Sequence, residues 1–149
     1  MNLLVAIDGS NESTEALDYA IDIADAMDGS ITVAHAVNPT VFDEGGTEPL
    51  ASLSDADQRL IVEGVADAEQ RALGVLEEAV EFATGHGHDV ESELLYGDPA
   101  TEIAEYADEE EVDAIFVGHR GRTERVELMV GSVAKALVER APVPVTVVR

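Results

Sequence analysis

Leu3-Leu4-Val5-Ala6-Ile7-Asp8-Gly9-Ser10 places five consecutive apolar residues ahead of a polar turn. A short apolar run of this kind, ending at a polar turn, reads as the first strand. Directly after it the period changes. From about Asn11 to Met27, Leu17, Ala20, Ile21, Ala24 and Met27 recur at helical spacing, with Asp18, Asp22 and Asp25 on the opposite face. A strand that passes through Asp-Gly-Ser into an amphipathic helix is the first half of a parallel crossover unit.

The same alternation continues outward from this stretch. Asp28-Gly29 stops the first helix and Ile31–Val37 reads as the second strand. Residues 38–54 are aperiodic and contain Pro, Gly and Ser, the mark of a long loop, which in a compact domain is often functional or mobile. A helix is expected from about Ser54 to Thr84, with Ile61, Val65, Ala68, Ala72, Val75, Ala79 and Phe82 on its apolar stripe. Gly85-His86-Gly87-His88 breaks it, and Val90–Leu95 follows as a strand whose Glu91 and Glu93 call for one wet face at a sheet edge. Asp98 suits a helix cap and Pro99 a first helical position, opening a helix to about Glu110. Ala114–Val117 is short and wholly apolar, hence central. Ser132–Ala141 forms the last helix, Pro142 ends it, and Val143–Val148 is the fifth strand. Its Pro144 lacks a donor, which places it at an edge or beside a twofold axis. The expected fold is therefore α/β: one domain over residues 1–149, an open parallel five-stranded sheet of Rossmann-like order 3-2-1-4-5 with helices on both faces.

Composition bounds the function. The 149 residues carry 32 acidic and 8 basic side chains, a formal charge of −24, with no cysteine and no tryptophan. An apolar content of 46% is enough for a folded core. The missing cysteines exclude a disulfide framework, a thiolate zinc site and a thiol nucleophile. The charge argues against nucleic acid and against anionic membranes as partners. With no signal-peptide pattern and no membrane-length apolar run, the expected location is the cytoplasm. The acids are spread over the whole sequence rather than gathered in a tail, which points to adaptation to high salt.

In an open parallel sheet, ligands bind beyond the carboxyl ends of the strands, where strand order reverses. Asp8-Gly9-Ser10, Val37-Asn38-Pro39 and the stretch from Gly118 onward qualify. The last is the richest: Gly118-His119-Arg120-Gly121, nine residues, then Gly131-Ser132 at a helix start. Glycines there permit close backbone approach, and the amides of Gly131, Ser132 and Val133 would form an anion site. Residues 120–135 hold Arg120, Arg122, Arg125 and Lys135 against Glu124 and Glu127, a local charge of +2 in a strongly acidic chain. That combination favours a phosphate ligand. The P-loop and the Gly-x-Gly-x-x-Gly pattern after the first strand are both absent, so phosphates would sit after the fourth strand.

Each of these residues also has a plain structural use. Asp8 could cap the first helix, although Ser10 and Asn11 can do so; Ser132 could be a simple cap; Gly118 could serve close strand–helix packing. His86, His88 and Asp89 read as a solvated turn, with weak metal binding as the alternative. No Ser-His-Asp order or acid–base carboxylate pair stands out, so no catalytic base is identified and no catalytic residue is assigned.

Gly118-x2-Gly121-x9-Gly131-Ser132 resembles the nucleotide-binding signature of the universal stress protein family, of the ATP-binding type. Val5-Ala6-Ile7-Asp8-Gly9-Ser10, Ala34-His35-Ala36-Val37, Gly97-Asp98-Pro99-Ala100, Gly131-Ser132-Val133-Ala134 and Ala141-Pro142-Val143-Pro144-Val145 are similar to that family as well. The resemblance spans the chain apart from 38–54. It implies that Ala6, Ile7 and Asp8 lie at the adenine and ribose side, that Val37 meets adenine through its backbone, and that Val117 and Gly118 line the ribose and first phosphate. Gly121 would allow close approach, and Gly131, Ser132 and Val133 would hold the terminal phosphates; the cation cluster noted above adds Arg120 beside them. The implied ligand is ATP, with Mg2+ as a candidate companion. The implied role is a stress-response regulatory module, homodimeric through Val143–Val148 and read by a downstream protein. The alternatives are a weak ATPase or nucleotide transferase on the same pocket, and a dimeric interaction protein that binds no nucleotide. One departure is Ala134, where some ATP-binding members carry a hydroxyl; a charge-assisted phosphate bond of ~1–3 kcal/mol would be missing.

Overall fold

A computed structural model of the chain describes residues 1–37, 55–120 and 130–149. The expected loop over 38–54, together with Gly121, Arg122 and Arg125, lies outside these described residues, and the side chains of Ile61 and Val65 are likewise not described. The elements run β1 (Asn2–Ala6), α1 (Asn11–Met27), β2 (Ser30–Val37), α2 (Asp55–Gly85), β3 (Glu91–Tyr96), α3 (Pro99–Glu109), β4 (Ala114–Gly118), α4 (Ser132–Arg140) and β5 (Val145–Val148). The five strands form one sheet in the order β3-β2-β1-β4-β5, every neighbouring pair parallel.

Strand alternation assigns the two helical layers. Leu3, Val5 and Ile7 project into a core with Ala16, Leu17, Ala20 and Ile21 of α1 and Leu76, Ala79 and Ala83 of α2. Leu4 and Ala6 project the other way, against Ala100, Ile103 and Ala107 of α3 and Ala134 and Leu137 of α4. Leu3, Leu4 and Val5 are at most 1% exposed. That explains the uninterrupted apolar run: a central strand covered on both faces has no position for a polar side chain. β3, at the edge, leaves Glu91 and Glu93 exposed, as their charge requires.

Three details differ from the sequence reading. Met27 is 54% exposed and outside the apolar face, because α1 ends there and Asp28 turns the chain through a left-handed conformation (φ 51°). The buried stripe of α2 is centred on Ala72, Leu76, Ala79 and Ala83, with Val75 and Phe82 only flanking it. β5 begins at Val145, since Val143 and Pro144 precede the ladder; Pro144 contributes its carbonyl to the Ile115 amide (2.9 Å) and needs no donor. Among the described residues no helix is long and apolar enough to cross a membrane.

Candidate functional site

β1 lies between β2 and β4, so the chain leaves β1 toward one side of the sheet and crosses to the other to form β4. The carboxyl ends of these strands diverge there, and a cavity of about 230 Å³ opens at that point. Its walls come from five places in the chain: Ala6, Ile7 and Asp8 after β1; His35 and Ala36 of β2; Pro99 and Ile103 of α3; Val117, Gly118 and Arg120 at the end of β4; and Gly131, Ser132, Val133 and Ala134 at the start of α4. Ser13 completes the lining.

The β1–α1 corner is built by short polar side chains. Ser10 caps α1, its hydroxyl accepting the Ser13 amide at 3.1 Å, while the Ser13 hydroxyl donates to the Ser10 carbonyl at 3.0 Å. Asp8 does not cap the helix. Its Oδ1 accepts both the Ser10 amide, at 2.9 Å, and the Ser10 hydroxyl. This Asx turn is helped by Gly9, whose φ of +84° lies in the left-handed region. The carboxylate at the cavity is thus held by the same serine that starts the helix.

β1 also extends in effect past Ala6: the Ile7 amide donates to the Ala34 carbonyl (2.8 Å), and His35 Nδ1 donates to the Ile7 carbonyl (2.5 Å). The α3 corner follows the predicted chemistry. Asp98 caps through the Thr101 amide (3.2 Å) and hydroxyl (2.9 Å), and Pro99 stands in the first turn.

The β4–α4 side holds the segment expected from sequence to form an anion site, with corrections to that reading. Gly131 is the N-cap of α4, without a side-chain cap bond. Its amide is not available to a ligand, because it donates to the His119 carbonyl at 2.6 Å. The first turn of α4 places Ser132 and Val133 at the cavity wall. Arg120 reaches the cavity, but its charge is already shared: Nη2 donates to Glu12 Oε1 at 2.9 Å and Nε to His119 Nε2 at 3.0 Å. Gly118 has a packing reason of its own. A Cβ there would sit 2.7 Å from the Glu12 carbonyl carbon and 2.8 Å from its oxygen.

Of the residues singled out from sequence, Ala6, Ile7, Asp8, Val117, Gly118, Arg120, Gly131, Ser132 and Val133 come together around one cavity. Val37 is not part of its lining. It is 7% exposed and its carbonyl accepts the Gly97 amide at 2.9 Å, so the strand edge at the cavity is formed by His35 and Ala36 instead. Gly121 lies outside the described residues. Ser13, His35, Ala36, Pro99, Ile103 and Ala134 also line the cavity and were not among the residues assigned to it from sequence. His35 and Pro99 were each legible as residues at the carboxyl edge, beside a strand end or a helix start. Ser13 and Ile103 face the cavity from inside helices, where nothing marks them apart from core. Among the described residues no cluster of His, Cys, Asp or Glu could hold a metal. His86 and His88 approach Asp18 (3.9 Å) and Asp25 (2.5 Å) of α1, respectively.

This geometry meets a matching sequence family. The profile of the universal stress protein family covers residues 1–149. The chain belongs to that family. Among curated universal stress proteins, YxiE of Bacillus subtilis is 33% identical over 147 residues, covering 99% of this chain and 97% of that protein. MJ0531 of Methanocaldococcus jannaschii is 30% identical, covering 99% and 81%. Among solved structures, universal stress protein UspA from Lactobacillus plantarum superposes with a TM-score of 0.80 at 24% identity, over 100% of this chain and 97% of that one. A universal stress protein in complex with cAMP is 26% identical with a TM-score of 0.70, over 100% and 97%. The universal stress protein of Archaeoglobus fulgidus in complex with dAMP is 25% identical with a TM-score of 0.67, over 100% and 98%. The universal stress protein fold thus accounts for the sheet order found here, and some of its members bind adenine nucleotides.

Proposed function

We propose that this universal stress protein is an adenine-nucleotide-binding regulatory module, with ATP as its ligand. The observation that carries the reading is the convergence of Asp8, the β4 end and the first turn of α4 on one cavity at the strand-order reversal. The lining has the mixed character that a nucleotide needs. Ala6, Ile7, Ala36, Ile103 and Val117 offer apolar surface to a base, Asp8 an acceptor for ribose hydroxyls, and the helix start of Ser132 and Val133 amide donors for phosphate. The related proteins that hold cAMP and dAMP support the same ligand class. On a chain of −24, phosphate charge would be best carried together with Mg2+. The reading is tested by denaturing the purified protein and analysing released nucleotide, and by melting it with ATP, with AMP and with neither. Stabilisation of ~2.7 kcal/mol is expected at a hundredfold excess over the dissociation constant. No released nucleotide and no shift with either ligand would refute it.

The regulatory part of the proposal is a homodimer. β5 is the outer strand of the sheet, its four residues all half-buried in the single chain, and Val138 on neighbouring α4 is 59% exposed. A second copy would cover this apolar edge. Sedimentation should give twice the 15.8 kDa chain mass, and a monomer at micromolar concentration would contradict it.

A further inference from the structure

We propose that Glu12 sets the charge selectivity of the cavity by competing with an anionic ligand for the Arg120 guanidinium; the inference rests on the nucleotide reading above. Arg120 lines the cavity, yet its Nη2 is bonded to Glu12 Oε1 at 2.9 Å. The two side chains are only 22% and 21% exposed, so their pairing is much less screened than an ion pair on the open surface. Glu12 cannot retreat with its backbone. The first turn of α1 is pressed against the end of β4, where a Cβ on Gly118 would lie 2.7 Å from the Glu12 carbonyl carbon. The missing side chain of Gly118 is therefore what brings a carboxylate within reach of Arg120.

A second observation comes from His119. Its Nε2 accepts from Arg120 Nε, which leaves the proton of the neutral ring on Nδ1. That Nδ1 is buried and has no partner among the described residues. The Glu12–Arg120–His119 arrangement thus leaves one buried donor unmet, and a shift of Arg120 toward a ligand releases the ring to find an acceptor. The His119 carbonyl also holds the Gly131 amide at 2.6 Å, so the segment that carries Arg120 is tied to the start of α4.

An anion that engages Arg120 must share it with Glu12 and sit near a second carboxylate, Asp8. The penalty grows with ligand charge and is absent for a neutral nucleoside. The test is calorimetric titration of the full chain with adenosine, AMP and ATP at fixed Mg2+, for the wild type, E12Q, R120Q and the double variant. Gln retains an amide oxygen that can accept from Arg120, so E12Q removes the charge while keeping the bond. E12Q should tighten ATP roughly tenfold and change adenosine by less than about twofold. R120Q should weaken ATP, and the double variant should lose the E12Q gain. An ATP-to-adenosine affinity ratio that E12Q leaves unchanged or lowers overturns the inference while nucleotide binding stands. A wild type that binds none of the three ligands overturns both.

Discussion

Gly118 shows how one residue serves packing and site together. Its missing side chain lets the Glu12 backbone approach to a distance that no Cβ tolerates, and Gly118 itself forms part of the cavity wall. Gly118→Ala should cost about 1–3 kcal/mol in chemical denaturation, because the obstacle is main chain rather than a movable side-chain tip. Unchanged stability would mean that α1 and β4 are not in the contact described. From sequence, Gly118 could be read either as a close-packing residue or as a ligand residue; the contact with Glu12 supports the first, and its place at the cavity leaves the second to be tested. Other residue-scale readings failed for one reason: sequence shows which groups are present but not which are already partnered. Arg120 was legible as a cation beside a glycine-rich segment, but Glu12 lies 108 positions away. The Gly131 amide was legible as a helix-start donor, but not its bond to the His119 carbonyl.

At the scale of the element, burial on two faces was the most legible signal. Ala114–Val117 could be placed inside the sheet because it offers no polar position, and Glu91 and Glu93 put β3 at an edge. Helix faces were read less well. In α2 the alanines at 68, 72 and 79 define the apolar stripe only loosely, and Leu76 and Ala83 proved to lie nearer its centre than Val75 and Phe82. α3 offers a test of its packing against the β2–β3 side. Burial raises the Tyr106 phenol above its ordinary value, nearby Glu93 and Glu110 add to the rise, and a hydrogen bond from Thr32 opposes it. Below the unfolded tyrosine value of about 10 both states keep the proton and the group contributes no pH dependence. Above it the unfolded chain loses the proton first, so stability falls as pH rises further. Denaturation midpoints measured from pH 9 to 11 should therefore decline, and Tyr106→Phe should flatten that decline. An identical alkaline slope in the variant would place Tyr106 in a different environment.

For the whole molecule, charge is the dominant fact. Thirty-two carboxylates on 149 residues repel one another in the compact state, and ~1 M salt shortens the range of that repulsion to about 3 Å. Melting temperature should climb steadily from ~0.1 M to molar NaCl; a flat or falling curve would remove the case for high-salt adaptation. The parallel sheet itself was fully legible, since five alternations of strand and helix admit few topologies. The cavity was legible in position, at the strand-order reversal, and in most of its lining, but not at its β2 edge, which His35 and Ala36 form while the Val37 carbonyl accepts the Gly97 amide.

The most direct measurement is a crystal structure grown with ATP and Mg2+. The account predicts the base against Ile7, Ala36 and Val117, and phosphate oxygens at the amides of Ser132 and Val133. A nucleotide bound elsewhere, or that cavity empty at saturating ATP, would contradict it.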